Sequence, residues 1–161
     1  MNPISPEMAV MRLSIWPGLI NAALYNLNRQ KTRIRLFEIG QCFPANNEDL
    51  THYEIKCAGL ICGDRYEINW SNPREKTDYF DLKGDVESML NALVGEKNYQ
   101  FRAKSFEFFH PGQSAQILIN DEVVGVLGNL HPSLANEFGF KQSVFLFDIN
   151  LGSIDAKSET Q

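Results

Sequence analysis

Apolar residues recur along this chain at helical spacing in two stretches and at alternating spacing in several others. Leu19, Ile20, Ala23, Leu24 and Leu27 fall on one face of a helix that Pro17 opens, because a first helical turn needs no donor from proline. Pro3 and Pro6 keep the residues before it extended. Arg29 and Lys31 follow the helix, where cations suit its negative pole. Ile34, Leu36, Phe37 and Ile39 then predict a strand ended by Gly40; with apolar residues on both faces, it is expected inside a sheet. After a polar turn at residues 44–51, residues 53–62 predict a second strand, buried more deeply toward Cys62 and paired antiparallel with the first. Residues 68–76 are irregular, with Trp70 as a packing anchor. Leu82, Val86, Met89, Leu90 and Leu93 stripe a helix over 81–94, capped by Asp81 or Asp78 and stopped by Gly95. Beyond it come a short strand at Tyr99 and Phe101, a turn at His110-Pro111-Gly112, and a strand over 115–119. A tight turn at Asn120-Asp121 leads to a strand over 123–127, a helix over 132–138 and a strand over 143–149. Short connections favour antiparallel pairing, so the fold class is α+β, a largely antiparallel sheet flanked by helices. Residues 1–151 form one module and 152–161 a polar tail expected to fray.

Seven strings, in this order and spacing, resemble one family. They are NPIS (2–5), MRLSIWPGLINAALYNLNRQ (11–30), RIRLFEIG (33–40), LICGDRYEINW (60–70), DYFDLKGDVESML (78–90), HPGQSA (110–115) and GVLGNLHP (125–132). The family is the β subunit of bacterial phenylalanyl-tRNA synthetase, and the resemblance is to its catalytic-like module. It implies a class II aminoacyl-tRNA synthetase-like fold and a place in a far longer subunit, of which this chain would be an excised piece. It also implies a partner, the catalytic α subunit, with which it forms an αβ pair that dimerises again. That complex charges tRNA(Phe) with phenylalanine, using ATP and magnesium in the intact enzyme.

Catalysis in class II enzymes needs positive charge against the α-phosphate of ATP. The superfamily supplies it with two arginines, one in a strand motif Phe-Arg-x-Glu and one closing a late Gly-rich motif, each a planar fork suited to phosphate. Here the strand reads Phe37-Glu38-Ile39-Gly40, with no arginine between Phe and Glu. The last arginine of the chain is Arg102, and the Gly-rich stretch from Gly125 to His131 carries none. No catalytic, cofactor-binding or metal-binding residue is therefore expected in this chain, which alone should be inactive. A metal reading of Asp78, Asp81 and Asp85 ranks below that of a capped, solvated helix face, because no loop supplies further oxygens. His52, His110 and His131 lack metal spacing; the last two each precede a proline and read as turn residues whose ring nitrogens satisfy backbone groups.

The net charge of −5 argues against an electrostatic grip on nucleic acid, so tRNA would be contacted mainly by other domains. The basic run Arg29, Lys31, Arg33, Arg35 reads as a solvated or subunit-facing helix end. Cys42, Cys57 and Cys62 read as buried thiols of a reducing cytosol, which with the resemblance implies a cytoplasmic protein. No apolar run has the length of a membrane helix. What remains is a surface for the α subunit, expected on residues 2–30, with Met11, Arg12, Ile15, Trp16 and Tyr25 as interface candidates. The competing reading packs that face internally. Two other functions stay open: a stand-alone class II-like ligase, and a tRNA-binding or editing module.

Overall fold

Pro17 lies in the first turn of helix α1 (Trp16–Asn28), whose buried side chains Trp16, Leu19, Ile20 and Ala23 repeat at three- and four-residue intervals. The computed structural model describes residues 15–43, 53–67, 71 and 74–158, with side chains to residue 155. The lead-in expected before Trp16, the polar turn after Phe43 and the anchor Trp70 lie outside the described residues. Strands β1 (Arg33–Cys42) and β2 (Glu54–Gly63) pair antiparallel, from Arg33 opposite Gly63 to Cys42 opposite Glu54. Helix α2 (Tyr79–Val94) starts two residues earlier than its apolar stripe suggests, because Asp78 and Asp81 form a reciprocal cap. The Asp78 carboxylate accepts from the Asp81 amide and the Asp81 carboxylate from the Asp78 amide, both at 2.9 Å. Gly95 ends the helix at φ 86°.

Strands β3 (Gln100–Ala103), β4 (Phe109–Ile119) and β5 (Glu122–Leu130) form a meander. Asn120 and Asp121 both take positive φ, 53° and 63°, as a two-residue hairpin turn with right-handed strand twist requires. The expected turn at His110-Pro111-Gly112 is instead a bulge inside β4: pairing slips between Phe109 and Ser114, where Pro111 has no amide to donate and Gly112 sits at φ 85°. Helix α3 (Pro132–Phe138) is followed by β6 (Val144–Asn150) and helix α4 (Leu151–Ser158). The tail is thus not frayed through residue 158. Ser153 N donates to Asn150 Oδ1 at 3.1 Å, and Ile154 is buried against the core, so one apolar turn holds a segment whose composition reads as polar.

The sheet order is β1-β2-β6-β5-β4-β3, antiparallel throughout. The last strand in sequence lies in the middle, and Val144 to Ile149 are all buried. One apolar cluster joins α1 and α3 to one face of the sheet, through Trp16, Ile20, Leu60, Phe109, Leu130, Leu134 and Leu146. The other joins α2 and α4 to the opposite face, through Leu82, Val86, Ile117, Leu127, Phe145 and Ile154. The first strand does not lie inside the sheet as expected: β1 is its edge. Its apolar residues split between the α1 cluster, which takes Ile34 and Leu36, and open surface.

Candidate functional site

The residues singled out in sequence part company. Ile15 and Trp16 pack inside the α1 cluster, and the Trp16 indole Nε1 donates to the Phe147 carbonyl at 2.9 Å. Tyr25 is exposed on the outer side of α1, with the Arg29 guanidinium 4.2 Å from its ring centroid. Met11 and Arg12 lie outside the described residues. Of the described three, only Tyr25 exposes its side chain to solvent.

β1, the edge of the sheet among the described residues, presents more. Arg35 pairs with Asp85 of α2 at 2.8 Å, so the odd-numbered residues of β1 look to the α2 side. On that side Phe37 is 74% exposed and Ile39 59%. Phe43 continues the alternation, and Tyr53 lies across from it if the β1–β2 register is extended by one residue; both are about half exposed. The helix α2 sits over β5 and β6 and leaves this row bare. Gly59, opposite Phe37, has no room for a side chain: a Cβ there would lie 2.2 Å from the Phe147 ring. The opposite edge is a contrast. β3 has four residues, and Gln100 and Arg102 on it are exposed, the usual way of blunting an edge. Sequence reading missed Phe37, Ile39, Phe43 and Tyr53 as surface. The available signal was the company they keep, since Arg33, Arg35 and Gln41 share the face of Phe37 and Ile39 and mark it as no core face.

Arg33 and Arg65, like Arg35, are committed within the chain. Arg33 Nε donates to the Arg65 carbonyl at 3.2 Å. Arg65 is held by Asp81 at 2.9 Å, by Asp78 at 3.0 Å and by Glu75. Asp78 and Asp81 thus serve α2 and Arg65, and Asp85 serves Arg35, which accounts for the three carboxylates weighed as metal ligands. Among the described residues, no three His, Cys, Asp or Glu side chains cluster as metal ligands. His131 meets expectation, its Nδ1 accepting from the Ser133 amide at 3.1 Å. His110 does not, because its Nδ1 is buried without a hydrogen-bond partner. The three cysteines are buried and free, and burial pushes the Cys62 thiol up to about 12.

Behind the edge, Asp148 of β6 is buried on the α1 side, with Lys56 Nζ 3.6 Å away. Burial raises its carboxyl above the ordinary range, and Lys56 offsets this only in part. A raised folded pKa means that the stability tied to Asp148 is full below its unfolded pKa and is lost as pH rises through the folded one. Asp148→Asn should therefore melt above the parent at neutral pH, with the gap closing in acid. Lys56 still has Glu54 at 3.7 Å and is not stranded. Thermal melts across the acid and neutral range check this; a parent more stable at neutral pH contradicts it.

An antiparallel sheet covered by helices on both faces, with this strand order, is the class II aminoacyl-tRNA synthetase fold. Solved pyrrolysyl-tRNA synthetase structures from Desulfitobacterium hafniense superpose with TM-scores of 0.67 and 0.66 at 14% identity, over 92% of this chain and about half of theirs. The sequence narrows this further: residues 1–151 match the family described as the phenylalanyl tRNA synthetase beta chain CLM domain, and the chain belongs to that family. Phenylalanine–tRNA ligase beta subunits of Methylococcus capsulatus and Pseudomonas putida are 42% and 44% identical over 96% and 95% of the chain. That of Haemophilus influenzae is 41% identical over 99%. The chain spans about a fifth of the length of these relatives. Among the described residues, no helix is long and apolar enough to cross a membrane.

Proposed function

We propose that this chain is a non-catalytic core module of a phenylalanine–tRNA ligase β subunit, working in the cytoplasm, and that it supports assembly with the catalytic α subunit. The observation that carries the reading is the β1 edge, which no described strand pairs on its outer side, with its exposed row of Phe37, Ile39, Phe43 and Tyr53. Long apolar edges invite association and are otherwise blunted, as β3 is. Tyr25 and Arg29 on α1 extend the candidate surface on the other side of the sheet. The catalytic part of the reading rests on chemistry. Phe37-Glu38 lacks the motif arginine, and the Gly-rich turn-strand from Gly125 to His131 has none. Without a guanidinium at either place, nothing in these motifs holds the α-phosphate while negative charge grows on it. ATP, magnesium and the charging of tRNA then belong to the α subunit's side of the complex.

The test mixes the chain with the α subunit of the same ligase. Co-elution on size-exclusion chromatography is expected, together with background pyrophosphate exchange by the chain alone in phenylalanine and ATP. A folded α subunit that elutes separately sinks the assembly role, and exchange above background by the chain alone sinks the non-catalytic one.

A further inference from the structure

β1 keeps register with β2 along its whole length, without a slip like those in β4. One step before its first pair, the Asp64 amide donates to the Thr32 carbonyl at 2.8 Å. Thr32 and Asp64 continue the same register, so they are a hydrogen-bonded pair, and in an antiparallel ladder such pairs fall on every second residue. The even-numbered residues of β1 therefore turn their backbone N–H and C=O groups inward to β2. The β2 end agrees, because odd-numbered Gly63 and Arg65 use theirs elsewhere, accepting from the Thr77 amide and donating to the Glu75 carbonyl. Arg33, Arg35, Phe37, Ile39 and Gln41 thus turn their backbone groups outward, where no described strand meets them. Phe37 and Ile39 among them also expose their side chains. Donors and acceptors repeating every second residue, about 7 Å apart, match another extended backbone and not a helix, whose own groups are bonded along its axis. A second copy of this chain fits poorly. Centred on Phe37 and Ile39, an antiparallel β1–β1 pair sets exposed Glu38 against its own mate, a destabilising like-charge contact.

Given the assembly role proposed above, on which this rests, we propose that the α subunit docks by adding an extended segment to β1 as a further strand. Its backbone bonds to the outward groups of the odd-numbered residues. Its side chains opposite Phe37 and Ile39 are apolar, because directly opposite residues share a face. The one opposite Glu38, on the other face, carries a cation.

Gln41→Pro tests the pairing against the α subunit of the same ligase. Gln41 is exposed, and proline there deletes an outward N–H while leaving the bonds to β2 in place. Binding should weaken about tenfold or more, as one backbone hydrogen bond is lost and the ring obstructs a strand. Gln41→Ala, which keeps the amide, should bind like the parent. If Gln41→Pro binds like the parent while the pair Phe37→Asp and Ile39→Lys does not, strand addition is overturned and the assembly role stands. If the parent itself does not bind the α subunit, both fall. If the chain instead dimerises alone and Gln41→Pro disrupts the dimer, the edge belongs to a second copy and the inference is overturned. Hydrogen exchange read residue by residue on the parent decides the matter should the proline variant not fold. The Phe37 and Ile39 amides, fast in the free chain, should slow about tenfold or more in the complex, toward the rates of Leu36 and Glu38. Phe37 and Ile39 amides that stay fast in a formed complex overturn the pairing.

Discussion

Phe37→Asp combined with Ile39→Lys is expected to abolish co-elution with the α subunit and to leave the isolated chain folded. Both side chains are more than half exposed, and neither belongs to a core cluster. Surface substitutions of this kind shift stability by about 0.5 kcal/mol, which at this chain length is a melting change of roughly 1–2 °C. At a partner interface the same two changes remove apolar anchors and leave charges facing apolar surface. Losing two central contacts at ~2 kcal/mol each weakens binding about a thousandfold. The opposite pattern, a collapsed melt with binding retained by the folded remainder, would place Phe37 and Ile39 in the core and the partner elsewhere.

Trp16→Ala is expected to do the reverse. The indole is 4% exposed, packs against Phe108 and Phe109 at ring-centroid distances of 5.6 and 5.7 Å, and donates to Phe147 across the sheet. Truncating a buried tryptophan costs ~3–5 kcal/mol, a large share of the 5–15 kcal/mol that holds a typical domain together. Urea unfolding should show the unfolding free energy falling by that amount, with the midpoint moving to lower urea, and Trp16→Phe, which keeps an aromatic ring, should lose less. A loss of unfolding free energy under about 1 kcal/mol would mean that Trp16 is not a core residue and return it to the interface.

These two variants mark where sequence stops being informative. Helical spacing found α1 and α2, because a helix that packs one face writes its period directly into Leu19, Ile20, Ala23 and Leu82, Val86, Leu90. The Asn120-Asp121 turn was legible because only a few residue types accept positive φ. Strand order was not legible, since nothing local in Val144 to Asn150 says that the last strand inserts between β2 and β5. That insertion makes β1 the edge, and so apolarity at Phe37 and Ile39, which reads as burial in a sequence, is exposure in the fold. For Trp16 and Ile15 apolarity left interface and internal packing both open, and the fold buries them in the α1 cluster. The tail was misread because Leu151 and Ile154 are a single apolar turn among polar neighbours, too short a period to register. The missing arginines were fully legible, because an absent residue needs no fold to be absent.

Amide hydrogen exchange on the chain, with and without the α subunit, tests most directly whether the β1 edge is the working surface. Backbone amides on the open side of an edge strand exchange freely until something pairs with or covers them. On adding the α subunit, protection should rise along residues 33–43 and over the outer side of α1 around Tyr25, with the interior strand β6 unchanged. A complex that forms while residues 33–43 exchange as fast as before would contradict the account.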